Sequence, residues 1–345
     1  MTANEATPVP FTAPAPDPMD APAYRWGILG AGGIARKLAD AVTNHTASSV
    51  VAVAAASSQE RAQAFADEMG VPTAYGSYEE LVADPDVDIV YVATTHNHHH
   101  EPALLAINAG KHVLVEKSFT QNSAQAQLIV DAARAKGVFV MEAMWARHLP
   151  HMYAVREVIA RGDIGEVGSV VADHGQMLTH VERMIRPELA GGALLDLGIY
   201  PVAFAHDILG VPESITSVGR LRDAGVDGQI SMIFDYPSKG AQASLTTTME
   251  SRTSCIAHVG GTKGELHIEG TFYNPTSFTV ELLDGTRWSF DGMIENGFQY
   301  EAAECARRIA AGETESPLHT LDQSLELMRI LDEIRAQVGV VYPGE

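Results

Sequence analysis

The 345-residue chain is 46% hydrophobic and 19% charged, the composition of an ordinary globular protein rather than a disordered or fibrous one. A formal net charge of -21 would repel phosphate backbones and anionic headgroups, so neither nucleic acid nor a membrane surface is expected as a partner. Two cysteines, Cys255 and Cys305, are too few for a disulfide framework or a cysteine zinc site and agree with a reducing cytoplasm.

Residues 1–23, rich in Pro, Ala and Thr without Lys or Arg, read as a disordered or arm-like extension, not as a secretory signal. From residue 24 strand-like runs alternate with helical patterns, the rhythm of a parallel sheet with crossover helices. Strands are expected at 24–29, 49–56, 89–93, 112–115 and 138–141, with helices at 34–44, 59–69, 102–109 and 124–136. No apolar run approaches the roughly 20 residues of a spanning helix.

After about residue 145 the rhythm changes. A helix at 152–161 and a strand near 168–174 lead to a helix at 194–209, then to strands at 215–221, 228–235, 241–249, 264–268, 278–283 and 286–290 without helices between them. That pattern predicts a mostly antiparallel sheet. Helices at 297–311 and 321–338 end the pattern. The expected architecture is an α/β Rossmann domain over 24–144, followed by an α+β domain over 145–345 with a large open-faced antiparallel sheet. One face of that sheet must be covered or unusually polar, so a homodimer is expected to form through it.

Gly30-Ala31-Gly32-Gly33-Ile34-Ala35 stands between the first predicted strand and helix and fits G-x-G-x-x-A. The first glycine permits the tight turn, the second admits a pyrophosphate, and the small third residue allows close helix packing. A nicotinamide dinucleotide is therefore the expected cofactor. At the end of the second strand no carboxylate stands ready for a ribose 2'-hydroxyl, whereas Ser57, Ser58 and Arg61 suit a 2'-phosphate, which favours NADP. In the alternative, Arg61 is a solvated helix residue, Glu60 reaches the ribose, and NAD is bound.

Lys117 follows the apolar run 113–115 and should project from the carboxyl end of the sheet, where such folds bind ligands; the bland alternative is a solvated loop lysine. Asp196 and Tyr200, at i and i+4, should share one helix face; the alternative for Tyr200 is a core ring packed on Phe204. The run His96 to His100 invites a metal, but adjacent loop histidines cannot all converge on one ion, and no metal is expected. Trp145 covers either a ring or a hinge core, while Arg147, His174, His180 and Arg186 are candidates for the substrate pocket.

In combination these motifs resemble the GFO/IDH/MocA oxidoreductases: the glycine motif, the run Thr95 to His100, Glu116-Lys117, and Gly191-Gly192-Ala193-Leu194-Leu195-Asp196-Leu197-Gly198-Ile199-Tyr200. Residues 74–81, 141–145, 178–181 and 261–264 are similar to a branch of dimeric dihydrodiol dehydrogenases that also oxidise D-xylose. The resemblance implies that Tyr200 is the acid/base, with Lys117 lowering its pKa and Asp196 orienting substrate. It also implies that Thr95, Asn97, His100, Glu116, Lys117 and Trp145 line the cofactor. A sugar, polyol or cyclic diol is the implied substrate. Two rival readings are an NADPH-dependent reductase of a keto or anhydro sugar and a non-catalytic dinucleotide-binding sensor. Ser118 departs from the usual Glu-Lys-Pro and is expected to loosen the turn after Lys117.

Overall fold

The computed structural model describes residues 15–56 and 58–345. They form two compact units. The first comprises Pro16–His148 and Asn296–Met328, the second chiefly Leu149–Glu295 and Arg329–Glu345.

The first unit holds a parallel sheet of β1 (Arg25–Leu29), β2 (Ser49–Ala54), β3 (Thr73–Tyr75), β4 (Ile89–Val92), β5 (His112–Glu116) and β6 (Val140–Ala143), in the order β3-β2-β1-β4-β5-β6. The strands are linked by α1 (Gly33–His45), α2 (Gln59–Met69), α3 (Tyr78–Ala83), α4 (His100–Asn108) and α5 (Ser123–Lys136). Every residue of β4 and β6 is buried, as a parallel sheet covered on both faces requires; β4 accordingly reads as an unbroken apolar run, whereas β6 carries the buried Glu142. In α1, buried Ala35, Leu38, Ala39 and Val42 recur at the spacing of one helix face. The strand order reverses between β1 and β4, and the carboxyl ends flanking that point are where such sheets bind ligands.

The second unit contains α6 (Pro150–Arg161), α7 (Ile199–Leu209) and eight strands: β7 (Val167–Gly175), β8 (Ser214–Leu221), β9 (Asp227–Tyr236), β10 (Ala241–Thr248), β11 (Ala257–Gly261), β12 (Gly264–Ile268), β13 (Phe278–Leu282) and β14 (Arg287–Phe290). Their order is β14-β13-β12-β11-β7-β10-β9-β8, antiparallel except for the β7–β10 pair. One face packs against α7, and the other exposes Val171, Ile233 and Val218 in alternation with polar residues.

The chain returns to the first unit with α8 (Phe298–Ala310), and α9 (Leu321–Val338) belongs to that unit as far as Met328. Here the structure departs from the expected boundary at 145. The apolar face of α8 packs on α1 and on Trp145, whose ring stacks on Phe298 at 4.3 Å. Thr314 then extends the edge of β6 by accepting from the Val140 amide at 3.0 Å.

Other expectations are corrected too. Of the expected arm, residues 15–23 are anchored through buried Pro18 and Ala21, and the rest lie outside the described residues. Ala21 is buried against Ala303 and Ala306, and Arg307 donates to the Asp17 carbonyl at 2.6 Å. The short β3 and α3 and the glycine-ended β11 were not expected, and β6 begins two residues later than predicted. The stretch Pro187–Leu209 does reach the length and mean hydropathy of a spanning helix, but 94% of its apolar window is buried inside the protein.

Candidate active site

Gly30 ends β1 with φ +113°, and a side chain there would stand 2.5 Å from the Ala93 carbonyl, so the loops after β1 and β4 can touch only at a glycine. Gly32 caps α1 without any side-chain acceptor, and a Cβ at Gly32 or Gly33 would meet nothing within 4 Å. Uncapped helix N–H groups facing open space form a cradle for a diphosphate, so the residues present fit a dinucleotide. Ile34 and Ala35 form the first turn, with Ala35 buried against the sheet.

At the end of β2, Ser58 caps α2 by accepting from the Arg61 amide at 3.3 Å, and Arg61 is exposed. Ser57 lies outside the described residues. Tyr78, which the sequence reading did not assign to the site, bonds the Ala56 backbone and lies within reach of the Arg61 charge, although burial still raises its pKa.

The loop after β4 splits the histidine run. His99 is fully buried, its Nδ1 donating to the Ser118 carbonyl at 2.8 Å, and burial pushes its pKa down to about 4, so it is a neutral structural ring. His98 is exposed, His100 is half-buried with its pKa lowered by burial, and Asn97 accepts from the Thr95 hydroxyl at 2.7 Å. Among the described residues no three His, Cys, Asp or Glu side chains converge on a metal position.

Lys117 follows β5, half-buried, its amide donating to the Glu116 carboxylate at 3.2 Å, while that carboxylate also accepts from the Tyr91 hydroxyl. Ser118 does not loosen this turn. It is fully buried, and the His99 ring holds its carbonyl. The next amide, of Phe119, donates to Glu142 at 2.9 Å. Glu142 is buried with His319 at 2.9 Å, and burial lifts its carboxyl to about 7. Arg147 is buried, donating to His319 at 2.8 Å and to Gln323 at 3.3 Å.

In the second unit the segment carrying Asp196 and Tyr200 does not start as an α-helix. Leu194–Gly198 is a π-helical turn in which the Ile199 amide donates to the Leu194 carbonyl, so plain i, i+4 spacing does not hold through Asp196. Tyr200 is 9% exposed and lies in an aromatic group, stacked on Tyr273 at 4.5 Å and tilted against His174 at 5.4 Å. Phe204 instead meets Phe272 edge-on, its centroid 5.5 Å away. The His174 Nδ1 donates to the Leu197 carbonyl at 3.0 Å, and Gln176 joins the His174 ring at 2.9 Å to the Tyr273 hydroxyl at 3.0 Å. Burial raises the Tyr273 phenol well above its ordinary value. Asp196 is paired with Arg183 at 3.0 Å. The structure thus brings Tyr200, His174 and Asp196 into one unit with Tyr273, Gln176 and Arg183, which the sequence did not single out. His180 is exposed, and Arg186 pairs with Glu182 and Glu188 on the surface.

Residues 24–144 match the family model described as an oxidoreductase family with an NAD-binding Rossmann fold, and residues 152–267 match the GFO/IDH/MocA C-terminal domain. The chain is 41% identical to trans-1,2-dihydrobenzene-1,2-diol dehydrogenase of Mus musculus, covering 94% of this chain and 99% of that one. It is 36% identical to the NADP(+)-dependent D-xylose 1-dehydrogenase of Hypocrea jecorina, covering 92% and 93%. Among solved structures it is similar to a 3-ketoreductase from Actinomadura kijaniata in complex with NADP and TDP-benzene. That likeness has a TM-score of 0.83 and 28% identity, covering 92% of this chain and 98% of the other.

Proposed function

The chain belongs to the GFO/IDH/MocA family of oxidoreductases, and from that premise we propose that it is an NADP-dependent dehydrogenase oxidising a CH–OH carbon of a sugar, polyol or cyclic diol, with Tyr200 as the acid/base. The observation that carries the reading is the setting of Tyr200, a nearly buried phenol stacked on Tyr273, tilted against His174 and preceded in the same helical segment by Asp196. Such a ring has little freedom, so its hydroxyl occupies one place, as a proton acceptor must.

Bound at the Gly30–Ala35 turn, the nicotinamide dinucleotide supplies the ring that takes up hydride. The protein's own groups do the rest. Tyr200 accepts the substrate hydroxyl proton at its phenol oxygen. Lys117 supplies the positive charge that brings a phenol, ordinarily titrating near pH 10, toward working pH. Asp196, fixed by Arg183, accepts from a second substrate hydroxyl, which suits a polyhydroxylated ring. Tyr273, stacked on Tyr200, gives the phenol an apolar backing. The relatives' names support this substrate class, being a dihydrodiol dehydrogenase and a D-xylose dehydrogenase.

The deciding experiment is a panel of aldoses, inositols, anhydrosugars and dihydrodiols, each tried with NADP and NAD in both directions. Turnover of none would overturn the assignment. Faster reduction of a keto or anhydro sugar would favour the reverse direction, which the 3-ketoreductase likeness supports.

For assembly the reading is a homodimer. Across the open face of the eight-stranded sheet, His258, Val171, Ser244, Ile233 and Thr216 lie side by side in register, a mixed row suited to a second copy. Light scattering at 36.9 kDa would contradict it. Cys255 and Cys305 are free and buried, which accords with a cytoplasmic location.

A further inference from the structure

The segment that delivers Asp196 and Tyr200 is entered through Gly191 and Gly192, and what holds that entry is distant in sequence. Asp227, the first residue of β9, is fully buried. Its Oδ2 accepts from the Leu194 amide at 2.7 Å across 33 residues, and the Ala193 amide bonds the same carboxylate. Oδ1 has no hydrogen-bond partner and points at Gly192, where φ is +118° and a Cβ would lie 2.1 Å from it. Only glycine lets the carboxylate come this close. Burial lifts this carboxyl to about 7, which the two amides partly oppose.

On the other side of the same turn the hydroxyl of Tyr342, 2% exposed, donates to the Gly191 carbonyl at 2.8 Å. Tyr342 is itself fixed. The Arg335 guanidinium lies 4.8 Å from its ring centroid, and Arg335 is paired with Glu345 at 2.9 Å. Gly191 in turn donates to the Arg186 carbonyl and Gly192 to that of Met184, which joins the turn to the short helix Glu182–Ile185 bearing Arg183. Asp227 and Tyr342 both bond the backbone of residues 191–194. They fix the turn from which Asp196, Tyr200 and the arginine that pairs with Asp196 are hung.

We propose that Asp227 and Tyr342 are positioning residues for Tyr200 and Asp196, clamping residues 191–194 so that the π turn sets the phenol where proton transfer requires it. The inference rests on the reading of Tyr200 as the acid/base. An uncapped entry would let the π turn relax toward ordinary α-helical hydrogen bonding, which rotates every side chain after it by a large part of a residue step.

The test uses the full chain with NADP and the best substrate of the panel. Asp227→Leu removes the acceptor while keeping a side chain branched at Cγ, Asp227→Asn retains an acceptor for Leu194 at nearly constant volume, and Tyr342→Phe removes only the hydroxyl. Asp227→Leu should lower kcat by about 10²-fold, the scale of an ångström-sized misplacement, with substrate KM changed far less. NADPH binding, followed by fluorescence quenching, should stay at the wild-type value because the Gly30–Ala35 cradle belongs to the other unit. Asp227→Asn should recover most of the loss, and Tyr342→Phe should cost about 5- to 20-fold in kcat, the loss of one hydrogen bond.

Wild-type kcat in both Asp227→Leu and Tyr342→Phe overturns the inference, as does a loss shared equally by kcat, KM and NADPH binding. If Asp227→Leu does not fold, Tyr342→Phe and Asp227→Asn decide by the same criteria. Tyr200→Phe, measured alongside, separates the two ideas. Full turnover in that variant removes the reading of Tyr200 itself, whereas its collapse beside a fully active Asp227→Leu removes the clamp alone.

Discussion

Arg147 and His319 are locked in one orientation: the guanidinium donates to Nδ1 of the ring at 2.8 Å, so Nδ1 carries no proton and Nε2 must donate to Glu142, 2.9 Å away. The three side chains are all buried, and Gln323 and Ser324 complete the group. Arg147→Met would leave Nδ1 without its donor and is expected to lower stability by about 1–3 kcal/mol. Chemical denaturation of the variant and its NADPH affinity check this. Unchanged stability combined with a raised substrate KM would instead place Arg147 in substrate binding.

Glu142 also makes stability depend on pH. Burial raises its carboxyl from 4.5 to about 7, so the folded protein holds this proton more tightly than the unfolded chain does. Its contribution is complete below the ordinary carboxyl value and is lost as pH rises through about 7. Glu142→Gln cannot titrate. The stability difference between wild type and this variant should therefore shrink from pH 5 to pH 8, and thermal melts showing a constant difference would refute the assignment.

Cofactor preference is open to a single substitution. Arg61→Ala should reduce kcat/KM for NADP by about 10- to 100-fold, the weight of one charge-assisted contact to a phosphate, and leave NAD nearly untouched. A uniform loss with both cofactors would show that Arg61 supports α2 instead of reading the 2'-phosphate.

For the chemistry, Tyr200→Phe keeps the stacked ring on Tyr273 and removes the proton acceptor, so kcat should fall by about 10²- to 10⁴-fold with folding preserved. Lys117→Met should cost a similar factor. If the two groups act as one unit, the double variant is hardly worse than either single one. Multiplicative losses would assign them separate roles.

Much of this was legible in the sequence because periodicity and turn chemistry are local signals. Gly30 to Ala35 announced the strand-turn-helix, and the alternation in β8, β9 and β10 announced an antiparallel sheet. Three-residue β3 is too short to alternate, and β11 ends in two glycines that read as a loop although it sits near the middle of its sheet. The π turn was invisible because its apolar residues satisfy an α-helical pattern equally well. Tyr273 lies in a loop and Arg183 in a single helical turn, so neither has a periodic context, and their pairing with Tyr200 and Asp196 is purely tertiary.

The return of Asn296–Met328 to the first unit has a bearing on how the protein is made. During synthesis the sheet β1–β6 leaves the ribosome well before α8, which covers α1 and Trp145 and meets Ala21 at its far end. Until then that flank of the nascent unit keeps its apolar surface bare for the time needed to translate about 150 further residues, roughly 8 to 30 seconds at ordinary elongation rates. The first domain to begin folding is thus closed only after residues 149–295 of the second unit have been made, and this interval is when a holding chaperone would have most to protect.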